Sequence, residues 1–178
     1  VELVRFDVLV APEFLSGLSS MSFDDVRRRR SDANEVETGL SYLRRIVQGR
    51  LDIVLAERHR RDEGVEAGDI ASLVDHLPEI LSEHVHAPGF GRLTTLIAPG
   101  EIDQTFLDRM NDIIPPSRLG SLPALPDTEL ERVIDRLVLL EREISARRRS
   151  LHEVLDRLQE EIVRRYSSGE ASVDNLLS

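Results

Sequence analysis

Apolar residues recur at spacings of four, three, four, four and three through Val36, Leu40, Leu43, Val47, Leu51 and Val54. That is the cadence of a helix laying one narrow stripe against a partner. A second run reads Leu130, Val133, Leu137, Leu140, Ile144, Leu151, Leu155, Leu158 and Ile162, with Arg147 interrupting it. The first run lies in a proline-free stretch, 22–61, which opens with Ser22 and Asp25 in an N-cap arrangement. Gly39 and Gly49 each weaken that helix by about 1 kcal/mol relative to Ala, so packing must hold it together. The second run opens with a capping-box pattern, Thr128 with Glu131, and extends to about Tyr166.

Between the two runs the periodicity breaks. Two short helices are expected around 69–85, with Pro78 opening the second, then a loop over 87–100 and a helix near 101–112. IIPPSRLGSLPALPD (113–127) is a proline-rich connector that cannot continue a helix. LVRFDVLVAPEFLSG (3–17) holds a short apolar stretch broken at Pro12 and expected to pack on something larger. The tail SSGEASVDNLLS is expected to be mobile. The fold class is therefore all-α: an antiparallel two-helix coiled coil with short N-terminal and connector helices. Its segments are 1–21, 22–61, 62–126 (the acidic connector), 127–166 and 167–178. Neither apolar stripe is wide, so the pair needs a third element or a ligand for stability.

Composition narrows the function. Aromatics make up 4 % of the chain, and there is no Cys. A disulfide framework and thiolate metal sites are excluded, and a reducing cytoplasm is the default compartment. No apolar run approaches the roughly 18 residues needed to span a bilayer. No signal peptide is visible, and the opening Val1 suggests a trimmed start. All 23 basic residues are Arg, yet the net charge is −10, which argues against a duplex-DNA binder. The charge is uneven: 7 acids against 10 bases in 22–61 (+3), 11 against 3 in 62–126 (−8), and 10 against 9 in 127–166 (−1). The acidic middle is either a solvated linker or a dock for a basic partner.

Beside each apolar stripe runs a polar one. On the first helix it is Glu37, Ser41, Arg44, Gln48 and Asp52; on the second, at the same spacing, Glu141, Ser145, Arg148, His152 and Asp156. At 100° per residue each set falls within a sector of roughly 80° and forms one line about 22 Å long. A solvated face laced with (i, i+4) pairs is the plain explanation. It accounts for Glu and Arg, but not for Ser and Asp recurring in the same order. Chemically, a carboxylate accepts from guanine N1–H and N2–H₂, while Arg forks onto guanine O6 and N7 or onto phosphate. Antiparallel helices relate the two stripes by a pseudo-two-fold axis, which suits a two-fold ligand with two guanines and two phosphates.

The spacing E-x3-S-x2-R-x3-Q-x3-D, read as EVETGLSYLRRIVQGRLDIV over 35–54, resembles the cyclic-di-GMP signature of the actinobacterial RsiG-type anti-sigma factors, also called aerial-mycelium-formation proteins. APEFLSGL before the first helix and the looser copy in the second strengthen the resemblance. It implies a cytoplasmic, non-enzymatic regulator that binds a pair of cyclic-di-GMP molecules on the coiled coil and sequesters a WhiG-type sporulation sigma factor. Carried over, Glu37, Ser41, Arg44, Gln48 and Asp52 hold one ligand, and Glu141, Ser145, Arg148, His152 and Asp156 the other. His152 departs from the pattern's Gln, which keeps hydrogen-bonding capacity but loses the amide's paired donor and acceptor geometry.

The neighbours read more plainly. Arg45, Arg50, Arg147 and Arg149 lie off the stripe centre and are expected in solvent, although two messengers would bring four negative charges, enough to engage one or two of them. The run Arg27–Arg30 points all round a helix and reads as a solvated turn. His84 and His86 near Glu83 do not converge on a metal, and no nucleophile–base pair or phosphate-cradling loop is evident. Ile80, Leu81, Phe90, Leu96, Ile97, Phe106 and Leu107 serve either sigma-factor contact or core packing. The rival functional reading is a constitutive coiled-coil adaptor with a polar specificity stripe and no nucleotide.

Overall fold

The computed structural model describes residues 2–64 and 102–170. Two helices dominate: α2 (Phe23–Asp62) and α4 (Asp127–Ser168), with α1 (Glu2–Val10) and α3 (Gln104–Ile113) packed on them. At 1.5 Å per residue the long helices are each about 60 Å rods. The fold is all-α, with no strand among the described residues. The rods run antiparallel: Glu37 meets Arg148, Arg44 meets Glu141, and Arg61 meets Asp127. The expected helices around 69–85 and the loop at 87–100 lie outside the described residues, as do 171–178.

The core is the seam between the rods. Leu40, Leu43, Val47 and Val54 face Leu130, Leu137, Leu140, Ile144, Leu151, Leu158 and Ile162, all buried; Val36, Leu51, Val133 and Leu155 are half-buried at its margins. Val26, Ala33 and Val154 extend the seam beyond the expected residues. Ser22 caps α2 as its spacing suggests, accepting from the Asp25 amide at 3.1 Å.

Three expectations need correction. The Thr128–Glu131 capping box does not form: α4 begins at Asp127, and the Pro126 carbonyl accepts from the Glu129 and Leu130 amides. Proline's fixed φ already suits a helix entry, so Thr128 falls inside the first turn. The connector is not irregular throughout, because Pro116–Ala124 winds as a 3-10 helix with Pro123 inside it. Finally, α4 continues to Ser168, two residues into the expected tail, and stops where Gly169 adopts φ 77°. A left-handed residue ends a helix, and glycine does so without a Cβ clash.

Arginine clamps tie down both ends of the hairpin. Near the connector, Arg61 binds Asp127 at 2.5 Å and the Leu122 carbonyl at 2.8 Å, while buried Glu57 receives Arg60 and Arg61 at 2.8 and 2.7 Å. At the other end, buried Arg165 donates to the carbonyls of Leu18 (2.6 Å) and Met21 (2.8 Å) and to Glu161 (2.7 Å). Hydrogen bonds from Arg164 and Arg165 pull the Glu161 carboxyl down to about 2. The Phe23 and Tyr166 rings meet edge-to-face at 5.3 Å beside this clamp.

Helices α1 and α3 cover one flank of the seam. Arg5 pairs with Glu35 at 2.5 Å, and Arg109 forks onto Glu143 at 2.7 and 3.0 Å. Arg147, the residue that breaks the apolar run, lies between the Phe6 and Phe106 rings, 4.8 and 5.2 Å from their centroids. A half-buried guanidinium over two aromatic faces replaces an aliphatic side chain here. Arg50 is buried, donating to the carbonyls of Met110 (3.2 Å) and Ile114 (2.8 Å) and to Asn111 Oδ1 (2.9 Å). It thereby caps the C-terminus of α3. Arg50 and Arg147 are thus structural, against the expectation of solvent, whereas Arg45 and Arg149 are exposed. Phe106 is buried in the core and Leu107 packs against it half-buried; Ile80, Leu81, Phe90, Leu96 and Ile97 lie outside the described residues. Within the arginine run, Arg28 pairs with Asp25, while half-buried Arg29 lies over the Phe14 ring and donates to the Phe14 carbonyl.

Candidate functional site

Helix α2 turns the polar row Glu37, Ser41, Arg44, Gln48 and Asp52 onto the flank that α1 and α3 leave open, and α4 does the same with its own row. The antiparallel register brings the two rows face to face. Glu37 Oε1 accepts from Ser41 Oγ at 2.6 Å on its own helix, and from Arg148 Nη2 and Nε at 2.9 and 3.1 Å across the seam. His152 Nε2 stands 3.3 Å from the same oxygen. The other half repeats this with the helices exchanged. Glu141 Oε1 accepts from Ser145 Oγ at 2.9 Å, from Arg44 Nε at 2.8 Å and from Gln48 Nε2 at 3.3 Å. Arg44 Nε also reaches Ser145 Oγ at 2.9 Å.

Four of the five positions in each row thus enter two cross-bonded clusters, one around Glu37 and one around Glu141, related by pseudo-two-fold symmetry. The fifth joins neither: Asp52 and Asp156 are exposed, with no hydrogen bond or ion pair to any described residue. The departure of His152 from Gln is also visible, since the imidazole takes the place that the Gln48 amide holds in the other half.

The electrostatics of the halves agree. Burial raises the carboxyl pKa of Glu37, but hydrogen bonds from Ser41 and Arg148, with the charges of Arg148 and His152, outweigh it and hold the group below its ordinary value. Burial likewise raises Glu141, and Ser145, Arg44 and Gln48 overcome it. Both groups are therefore carboxylates at neutral pH and act only as acceptors.

The clusters are satisfied but not saturated. Among the described residues, every hydrogen bond to either carboxylate ends on Oε1, leaving each Oε2 without a partner. Arg44 uses only Nε, and its side chain is 37 % exposed. Acceptor oxygens and guanidinium nitrogens remain available on the open flank to a ligand that carries both donors and acceptors. No three His, Cys, Asp or Glu side chains among the described residues are placed to hold a metal ion. No described helix is long and apolar enough to cross a membrane.

The RsiG-like family model matches residues 12–81 and 116–178, spanning both rods and both polar rows. This chain belongs to the RsiG-like family. Membership brings an anti-sigma regulatory role with a sigma factor as partner, and it is not a family of enzymes. No curated protein matches the sequence. The two segments of the match leave out 82–115, which includes α3.

Sequence reasoning missed Arg50 and Arg147. The one available signal was the break that Arg147 makes in an otherwise regular apolar run; nothing in spacing alone distinguishes buried Arg50 from exposed Arg45.

Proposed function

We propose that this RsiG-like chain is a cyclic-di-GMP-dependent anti-sigma factor that sequesters a WhiG-type sporulation sigma factor. One observation carries the reading: two acid–hydroxyl–guanidinium rows, matched residue for residue, meet across the open flank with unspent acceptors and donors. A two-fold dinucleotide fits that symmetry. Its guanine N1–H and N2–H₂ groups suit the carboxylates of Glu37 and Glu141, and guanine O6 and N7 suit the forks of Arg44 and Arg148. Ser41, Ser145, Gln48 and His152 orient those charged groups, while Asp52 and Asp156 offer exposed carboxylates beyond them. By joining both rods the ligand favours one arrangement of the hairpin surface, and the sigma factor follows by population shift.

Titration calorimetry with cyclic-di-GMP tests this. The wild type is expected to bind, and Arg44→Ala and Asp52→Ala are each expected to abolish binding. Wild-type affinity in both variants overturns the proposal.

One observation favours a second reading. The rows already bond to each other, Arg44 to Glu141 and Arg148 to Glu37, as a specificity stripe in a constitutive coiled-coil adaptor would. Pull-down of the sigma factor with and without cyclic-di-GMP separates the two, since an adaptor captures it equally in both.

A further inference from the structure

The two polar rows are each flanked on the solvent side by a second arginine, Arg45 beside Arg44 and Arg149 beside Arg148. Both are exposed, and neither has a hydrogen bond, ion pair or ring contact with any described residue. Arg28, Arg157 and Arg164, also exposed, each find a carboxylate three residues away. Arg30, Arg132, Arg136 and Arg142 share with Arg45 and Arg149 the lack of a partner among the described residues, so what distinguishes the pair is their equivalent place beside the two polar rows. Arg45 has no carboxylate three or four residues away, because its neighbours at those distances are Ser41, Tyr42, Gln48 and Gly49. Gly49 also leaves open space, as a Cβ there would meet nothing within 4 Å. Arg149 has Glu153 one turn on but does not pair with it.

The two arginines occupy equivalent places in the repeat. Positions on the covered flank differ between the rods, with Gly39 matched to Glu143, Leu43 to Arg147 and Arg50 to Val154. On the open flank the pairs are Ser41 with Ser145, Arg44 with Arg148 and Arg45 with Arg149. The pseudo-two-fold axis passes near Ser41 and Ser145, midway between the Glu37–Arg148 and Arg44–Glu141 bonds. Arg45 and Arg149 therefore stand about 6 Å along the rods on opposite sides of it.

We propose that Arg45 and Arg149 are further ligand-binding residues of this site, gripping the anionic diester phosphates of the bound dinucleotide while the polar rows read its bases. The assignment rests on the functional reading above and deepens it. Two unneutralised guanidinium groups beside a ligand face raise the local positive potential, and each presents a planar fork that matches a phosphate. The work is divided: Arg44 and Arg148, held by Glu141 and Glu37, have fixed positions suited to base edges, whereas Arg45 and Arg149 are free to swing onto phosphate.

The experiment is calorimetric titration of the full chain with cyclic-di-GMP at low and high salt, on wild type, Arg45→Gln, Arg149→Gln, Arg45→Lys and the distal exposed Arg132→Gln. Arg45→Gln and Arg149→Gln are each expected to weaken binding about fivefold at low salt and to flatten its salt dependence. Arg45→Lys is expected to retain the salt dependence, and Arg132→Gln to match wild type. Wild-type affinity and salt dependence in both Gln variants overturn the assignment and leave the messenger reading intact. An equal loss in Arg132→Gln also overturns it, because the effect is then one of net charge. A wild-type chain that fails to bind cyclic-di-GMP overturns the functional reading, and this assignment with it.

Discussion

Glu37 and Glu141 are the residues on which the open flank turns. Each is a carboxylate held by an arginine of the opposite rod, so each contributes to joining the rods only while ionised. Their folded pKa values lie below the ordinary 4.5. The stabilisation is therefore fully present above about 4.5 and is lost as pH falls through the lower folded values. Glu37→Gln and Glu141→Gln are expected to cost about 1 kcal/mol each at pH 7, since the amide retains the shape but loses the charge. Thermal melts across pH 2 to 7 check this: the wild-type curve should fall toward the variants in acid, and parallel curves count against it. Both glutamates were readable from the repeat alone. That each would bind an arginine of the other rod was not, because spacing fixes the face a residue occupies but not the register of the partner.

At the scale of elements, α3 shows where sequence patterning stops. Its existence follows from Gln104–Ile113 lying between Asp103, which caps it through the Thr105 amide, and the Pro115–Pro116 stop. Its docking does not follow, because it depends on Arg50, 60 residues earlier in the chain than Met110, one of the residues it holds. Arg50→Ala leaves the Met110 and Ile114 carbonyls without that donor, a loss expected to cost about 2–4 kcal/mol. Amide exchange over 104–114 should rise sharply while the centre of α4 stays protected. Uniform loss of protection along both rods would show that Arg50 supports the hairpin rather than α3. Arg147 carries a similar lesson: the broken apolar run marked the position, but only the arrival of Phe6 and Phe106 from two other helices gives the break its reason.

For the molecule as a whole, the long rods were legible because each lies in a proline-free stretch of about 40 residues that carries a helical apolar period along part of its length. The connector was not, since proline-rich segments support a 3-10 helix as readily as an open loop. A ligand bridging both rods should stabilise the hairpin by mass action, by about 2.7 kcal/mol at a concentration one hundred times its dissociation constant. The melting temperature is thus expected to rise with cyclic-di-GMP in wild type and to stay flat in Arg44→Ala. A wild type whose melting temperature ignores the nucleotide would contradict a ligand that joins the rods.

The clamps at Arg61 and Arg165 grip opposite ends of the hairpin, and the cross-bonded clusters lie between them. Rails fastened at both ends let a rung be exchanged without coming apart. For the messenger proposed above, exchange at mid-span would then mean trading places with a few side chains while both ends stay fastened, so the hairpin would follow a rising and falling signal without passing through the unfolded chain.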